Sequence, residues 1–277
     1  MNTTTLLYAT LVWCVIAQNT ALVAQPSKTN RTSLQTIDAY LGTLGFASQA
    51  KKMERILQTE LQKHINIHEN HKCQQELLDL YERFLSQGLF QERIETFYSE
   101  EIPLDSLSLL LSHLENPLLQ KMLALEKESD DNFFEDKFMQ YLIDNQHVIQ
   151  QESERMDYVD SLVWMLGVGE ATHAFIYRTN ALVGIASEAL LPIRKRQKAA
   201  ENLSFYELMS YPKQQDLQHK LLVYASFYQY KEESLEDLIA YLAFWQSVEG
   251  QYILKTHQQA IDYAWKQLFI QLRQSFN

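Results

Sequence analysis

The spacing of apolar residues constrains this chain more than any other feature of its sequence. From Ser33 almost to the C-terminus, apolar residues recur every three or four positions, as at Ile37, Leu41 and Leu44. That spacing places them on one face of an α-helix, whereas a half-buried strand would alternate apolar and polar residues. Among 277 residues there are only seven Gly and five Pro, few for the many tight turns of a β-sandwich or barrel. The sequence therefore predicts an all-α protein.

Interruptions of this pattern by Gly, Pro, Asn and Ser divide the chain into segments. They predict helices at 33–44, 47–67, 71–98, 104–115, 117–128, 132–151, 153–166, 170–190, 193–209, 214–230, 234–246 and 248–275. The polar stretch 25–32 is predicted to be loose, because it offers no apolar face to pack.

A shift of the chain against itself by 131 residues reveals an internal repeat. Without a gap, the shift superposes Glu101, Leu104, Leu107, Leu111 and Gln120 on Glu232, Leu235, Leu238, Leu242 and Gln251. In each copy an apolar stripe is followed by a break, at Asn116-Pro117 in the first and at Ser247 in the second. Asn and Ser are N-cap residues and Pro suits the first position of a helix. Each copy therefore predicts a helical hairpin.

Upstream of the hairpins, a shift of 122 places Asp38, Leu44 and Gly45 over Asp160, Leu166 and Gly167. We therefore divide the chain into helical unit 1 at 34–128, a connecting helix at 129–155 and helical unit 2 at 156–277. Neither amphipathic set of helices can bury its apolar face alone. The two related units, each with its hairpin, are predicted to pack as a multi-helix bundle.

The N-terminus has the pattern of a signal peptide. Residues 1–24 contain no charged side chain, and 6–17 form an apolar run too short to span a bilayer. Val15 and Ala17 supply small residues for cleavage after position 17, and a second cleavage site follows Ala24. The prediction is a signal peptide at 1–17, or to 24, and a periplasmic or secreted protein with no membrane span once the leader is removed.

The second hairpin resembles a known bacterial signature. Residues 234–250, SLEDLIAYLAFWQSVEG, are similar to the C-terminal pattern of the domain-of-unknown-function family numbered 2059. The second copy keeps Gly250 but has Val248 where the family has Pro, whereas the first keeps Pro117 but has Leu119 where the family has Gly. The resemblance, in two tandem copies, implies a small all-helical exported domain, with no catalytic residue to transfer.

Three histidines form a candidate metal site. His64, His68 and His71 are spaced by four and three residues, which on a continuous helix places their imidazoles within about 60° of one another. Neutral imidazoles bind zinc or copper, and a carboxylate, thiolate or water could complete the shell. Cleavage of the leader removes Cys14 and leaves Cys73 as a buried residue, an intermolecular partner or a metal ligand. The alternative interpretation is a solvated helix end.

Carboxylate-x-x-His occurs at Asp144/His147, Glu170/His173 and Asp216/His219. Di-iron bundles use paired Glu-x-x-His, and only one of these three has Glu, so we interpret them as solvent-facing pairs. The pairs Glu100-Glu101 and Glu232-Glu233 precede the hairpins and are predicted to be exposed beside helix N-termini.

Two further segments have alternative interpretations. The apolar stretch 181–193 and the basic cluster 194–198 predict a buried helix and a solvated turn, or else an element at a membrane surface. The late aromatic residues, which include Tyr230, Tyr241 and Trp245, predict core packing or the lining of an apolar pocket.

Charge and motifs limit the function. The 24 Lys and Arg against 35 Asp and Glu give a net charge of −11, which disfavours a nucleic-acid partner. The chain has no Gly-rich phosphate loop, Gly-x-Ser-x-Gly elbow or His-Glu-x-x-His motif. We therefore expect a non-catalytic binding protein without a cofactor, whose partner is a protein, a peptide or an apolar small molecule. The alternative is a periplasmic metal-binding protein that uses His64, His68 and His71.

Overall fold

A computed structural model describes residues 28–46, 75, 78–79, 88–128, 134–145, 147, 151–167, 169–171, 174–175, 177–179, 181 and 212–274. In chain order the helices are α1 (Lys28–Leu44), α2 (Leu89–Glu101), α3 (Leu104–Leu114), α4 (Pro117–Glu128), α5 (Phe134–Asp144), α6 (Ser153–Met165), α7 (Pro212–Gln229), α8 (Leu235–Gln246) and α9 (Val248–Gln274). The described residues contain no strand, and the prediction of an all-α multi-helix bundle is confirmed.

Several predicted helix boundaries differ from the structure: the helix predicted at 132–151 ends at Asp144, and the one predicted to end at 98 continues to Glu101. Two other differences have clear local reasons. Helix α1 begins at Lys28, so the stretch predicted to be loose is helical from there on. Polarity does not end a helix, and between Pro26 and Gly42 the sequence has no Gly or Pro. The predicted helix 71–98 is interrupted at Gly88, whose φ of 94° is left-handed and easily adopted only by glycine. Helix α2 starts immediately after it.

The two predicted hairpins have the same construction. Helices α3 and α8 begin 131 residues apart, and so do α4 and α9. In the first hairpin the Gln120 side-chain amide donates a hydrogen bond to the Leu114 carbonyl at 2.7 Å; in the second, Gln251 donates to the Trp245 carbonyl at 2.6 Å. Both contacts satisfy a carbonyl at the end of the hairpin's first helix, which has no partner within the helix.

The helices upstream of the hairpins also end alike. Helix α1 is followed by Gly45 with φ 77°, and α6 is followed after one residue by Gly167 with φ 62°. Their amides donate to the Gly42 and Trp164 carbonyls, three residues earlier, at 3.2 and 3.1 Å. A left-handed glycine at this position is a common helix C-terminus, because a side chain there would be strained.

The second helix of each hairpin packs against the opposite unit. Helix α4 contacts α8, and α9 contacts α2 and α3, while α1 packs on α2, α3 and α4 and α6 packs on α7 and α8. The buried side chains form one continuous core that includes Tyr40, Phe90, Leu114, Val159, Tyr241 and Trp265. The limits of the two units stay predictions. In the part of the chain that the structure describes, no helix is both long and apolar enough to cross a membrane.

Candidate functional site

A carboxylate and two tyrosines meet where α4 packs against α8. One oxygen of Glu126 on α4 accepts hydrogen bonds from the hydroxyls of Tyr230 at 2.6 Å and Tyr241 at 2.7 Å. Tyr230 follows α7 and Tyr241 lies in α8, and both tyrosines are fully buried. We call these three residues the junction cluster.

Burial sets the protonation of the junction cluster. It raises the pKa of Glu126 to about 7, although the two tyrosine hydrogen bonds act in the opposite direction. A buried carboxylate loses its hydration, which disfavours the ionised form. Burial raises the pKa of Tyr230 and Tyr241 well above their usual value, so both hydroxyls keep their protons. Glu126 is therefore the group of the cluster that exchanges a proton near neutral pH.

Charged side chains surround the turn that carries Tyr230. Arg155 donates to the Tyr230 carbonyl at 2.9 Å and to the Glu233 carbonyl. Lys121 pairs with the Glu233 carboxylate and, at 2.9 Å, with Asp237. Glu233 is only 6% exposed, so the prediction of an exposed Glu232-Glu233 pair is wrong for this residue. The Glu233 carboxylate is covered because it pairs with Lys121 of α4, and its amide closes the turn by donating to the Tyr230 carbonyl at 3.0 Å.

His257 is the repeat counterpart of Glu126, because the two positions differ by 131. It lies on α9, and its ring packs against Phe46 with centroids 4.3 Å apart. Burial lowers the pKa of His257 to about 4, so the imidazole is neutral at physiological pH. Phe46 also packs against Tyr98, whose ring lies 5.4 Å from that of Tyr40.

A second constellation lies at the surface between α6 and α7. His219 and Asp160 are joined by a 2.6 Å hydrogen bond, and the Trp164 ring lies 4.4 Å from the imidazole. Trp164 is nevertheless 61% exposed. We call Asp160, Trp164 and His219 the Trp164 surface. The partner of His219 comes from another helix, a contact that the interpretation of Asp216 and His219 as a local pair did not include.

Several predicted residues lie outside the described residues. They are His64, His68, His71, Cys73, His173, 182–193 and the basic cluster 194–198. Among the residues that the structure does describe, no group of three or more His, Cys, Asp or Glu could hold a metal ion. The metal prediction at His64, His68 and His71 stays a prediction.

Among the described aromatic residues of the second unit, most form the core or pack against it, as one of the two interpretations predicted, whereas Tyr224 and Tyr252 are exposed. Tyr230, Tyr241, Trp245 and Trp265 are buried. Glu126 was missed by the sequence reasoning, although a signal existed. It continues the buried stripe of Leu119 and Met122 along α4, so an ionisable residue occupies an apolar position.

Comparison of the chain with protein-family models, with curated proteins and with solved structures finds no significant match in any of the three. The resemblance to the family numbered 2059 therefore stays a prediction.

Proposed function

We propose that this chain is an exported, non-catalytic helical protein that binds a protein or peptide partner through the Trp164 surface. The observation that supports this proposal best is the exposed Trp164 ring, held against His219, which is itself hydrogen-bonded to Asp160. The leader pattern at 1–17 supports export.

A Trp side chain in this position is suited to binding. Tryptophan is enriched among the residues that contribute most to protein interfaces. A ring already positioned by a neighbouring imidazole loses little conformational freedom when a partner covers it. Burial of the exposed part of Trp164 would therefore contribute to affinity with little loss of side-chain conformational entropy.

Charge favours a partner with basic side chains. The exposed face of α6 carries Glu154, Asp157 and Ser161 before Trp164, and the whole chain has a net charge of −11. Complementary charge speeds association and selects partners. A Lys or Arg of the partner could also contact the face of the indole ring. We therefore infer a partner segment that combines basic with apolar residues.

Binding is favoured over catalysis by the position of the junction cluster. Its tyrosines are fully buried, and both hydroxyls bind Glu126. The cluster thus connects helices of two units, whereas catalytic groups must reach a substrate.

Site-specific photo-crosslinking in the cells that make the protein tests this proposal. A photoreactive residue at Ser161, one turn before Trp164, should capture a defined protein, and Trp164→Ala should abolish the adduct. The same residue at Leu109, which is 59% exposed on α3, is the matched control. If position 161 captures no more than position 109, the Trp164 surface is not a binding surface.

Export has a separate test. N-terminal sequencing of the protein from fractionated cells should find a chain that begins at Gln18 or Gln25 outside the cytosol. A chain that keeps Met1 to Ala17 in the cytosol would contradict export without bearing on the Trp164 surface.

Metal analysis tests the alternative function. If the purified protein holds zinc or copper tightly, and the triple change of His64, His68 and His71 to Ala removes it, the metal-binding interpretation replaces the proposal.

A further inference from the structure

We propose that Arg93 of α2 anchors a binding site for the carboxylate group of a ligand, where α2 packs against α9. In this site the ligand supplies the negative charge that the guanidinium lacks within the described part of the chain. The Trp164 surface lies on α6 and α7, so the site is separate from the binding function proposed above and does not depend on it.

Arg93 occupies a position of α2 that otherwise belongs to the core. Phe90, Arg93 and Phe97 lie three and four residues apart, which places them on one face of the helix. The rings of Phe90 and Phe97 meet those of Trp265 and Tyr263 on α9 at 5.6 and 5.7 Å. Arg93 is itself only 6% exposed. A permanently charged side chain thus lies in an apolar contact between two helices.

Hydrogen bonding of this guanidinium is incomplete. Its Nη2 donates to the Oε1 of Gln271 on α9, which is a neutral acceptor. Its Nη1 is buried and has no hydrogen-bond partner among the described residues. A buried charge is costly unless a counter-charge and hydrogen bonds offset the loss of hydration. Gln271 is exposed, so this edge of the contact is where an anion would reach the guanidinium from solvent.

No carboxylate that the structure describes pairs with Arg93. Burial lowers the pKa of Arg93 and the neighbouring Glu92 acts in the opposite direction, but the exposed Glu92 side chain forms no ion pair with the guanidinium. Glu95, two residues further on, accepts a hydrogen bond from Gln91 at 2.7 Å. A ligand carboxylate would therefore complete an ion pair that these acidic residues do not form.

The donors of the site favour a carboxylate. Its oxygens match the planar arrangement of guanidinium donors, so they can accept from Nη1 and from the remaining hydrogen of Nη2. The Nε1 of Trp265 is a second buried donor of this contact without an acceptor in the described part of the chain, so donors outnumber acceptors here. A phosphate dianion would bring a second negative charge, which Glu92 and Glu95 would repel.

NMR titration of the full chain with acetate tests the site. At neutral pH and constant ionic strength, sodium acetate replaces sodium chloride stepwise while the Nε–Hε signals of the arginines are followed. The Arg93 signal should shift along a saturable curve, with a dissociation constant in the millimolar range because acetate is so small a ligand. Arg93→Met identifies this signal by its loss. Gln271→Ala, an exposed change, identifies it independently by removing the acceptor of Nη2.

Arg178 is the matched control within the same titration. Its guanidinium already binds the Asp262 carboxylate at 2.5 Å, so acetate should shift its signal little and without saturation. Thermal unfolding gives a second readout. Acetate in tenfold excess over its dissociation constant should raise the midpoint of the wild type by at least about 2 °C relative to chloride. It should not raise that of Arg93→Met, which places an apolar side chain in the apolar contact.

Three results would overturn the proposal. The first is an Arg93 signal that does not saturate with acetate, and the second is an Arg178 signal that saturates in the same way. The third is saturation of the Arg93 signal by inorganic phosphate but not by acetate, which would make the site specific for phosphate. Equal stabilisation of the wild type and Arg93→Met by acetate would likewise contradict binding at Arg93.

Discussion

The second helices of the two hairpins each carry one half-buried side chain whose ionisable group is shielded from water. The two side chains, Glu126 in α4 and His257 in α9, occupy the same repeat position. Burial disfavours the charged form of both, raising the pKa of Glu126 to about 7 and lowering that of His257 to about 4. Glu126 meets two tyrosine hydroxyls, whereas His257 meets the ring of Phe46. Equivalent positions of the repeat are thus packed alike. Their hydrogen bonds and ring contacts differ, because the residues that surround them from the opposite unit differ.

The largest expected effect concerns the tips of the hairpins. A Cβ atom on Gly250 would lie 2.3 Å from the Phe244 carbonyl oxygen and 2.7 Å from the Trp245 Cα, both backbone atoms that cannot rotate away. The first hairpin accommodates buried Leu119 at the equivalent position. Gly250→Ala should therefore reduce the free energy of unfolding by about 3 kcal/mol or more, at the upper end for overpacked sites.

Urea denaturation measures this change. Gly42→Ala is the matched control, since a Cβ there meets no heavy atom within 4 Å. It should be neutral or stabilising by up to about 1 kcal/mol in helix α1. Equal losses in the two variants would mean that the hairpin tips are not as closely packed as described.

The next largest effects are opposed pH dependences at Glu126 and His257. The native pKa of Glu126 exceeds its unfolded value, so its contribution is full below pH 4.5 and is lost as pH rises to about 7. The native pKa of His257 is below its unfolded value, so its contribution is full above pH 6.5 and is lost as pH falls to about 4. Each amounts to about 3 kcal/mol, and between pH 4.5 and 6.5 they oppose each other.

Denaturation across this pH range separates the two residues. Glu126→Gln should expose the acid sensitivity due to His257, with stability falling from pH 6.5 to 4. His257→Gln should expose the opposite trend, with stability falling from pH 4.5 to 7. If both variants keep the pH profile of the wild type, the buried positions do not titrate as described.

A smaller effect distinguishes two buried tyrosine pairs. The Tyr241 hydroxyl donates to Glu126, so Tyr241→Phe should cost about 1–3 kcal/mol at pH 8, where the acceptor is charged. The Tyr98 hydroxyl is buried beside the neutral hydroxyl of Tyr40, and no charged acceptor among the described residues binds it. Tyr98→Phe should therefore be close to neutral or slightly stabilising. Thermal unfolding of the two variants measures both changes in stability. A larger loss for Tyr98→Phe than for Tyr241→Phe would contradict the prediction.

The smallest effect tests the likeness of the hairpins. Gln120 and Gln251 bind equivalent carbonyls at 2.7 and 2.6 Å, and both side chains are exposed. Changing either to Ala should cost about 0.5–1.5 kcal/mol, and the two losses should agree within about 0.5 kcal/mol. Chemical denaturation of both variants provides the measurement. A loss of stability in only one of the two variants would show that the equivalent hydrogen bonds do not stabilise the two hairpins equally.

Local patterns predicted correctly most of the helices that the structure describes. Helices α3, α4, α8 and α9 begin within one residue of their predicted starts, because caps and apolar spacing act over a few residues. The error at Gly88 arose because an apolar pattern continues across a glycine whose left-handed conformation places it before the first residue of α2. The same spacing could have identified Glu126 as buried, but not its partners.

What the sequence by itself determined is the helical fold and the paired hairpins with their capping residues, since each depends on residues close together in the chain. Only the tertiary structure decided which side chains meet. Glu126 lies 104 and 115 positions from its two tyrosines, and His219 lies 59 positions from Asp160. These contacts form because the second helix of each hairpin packs against the opposite unit and because α6 packs on α7. Spacing along one helix carries no information about either arrangement.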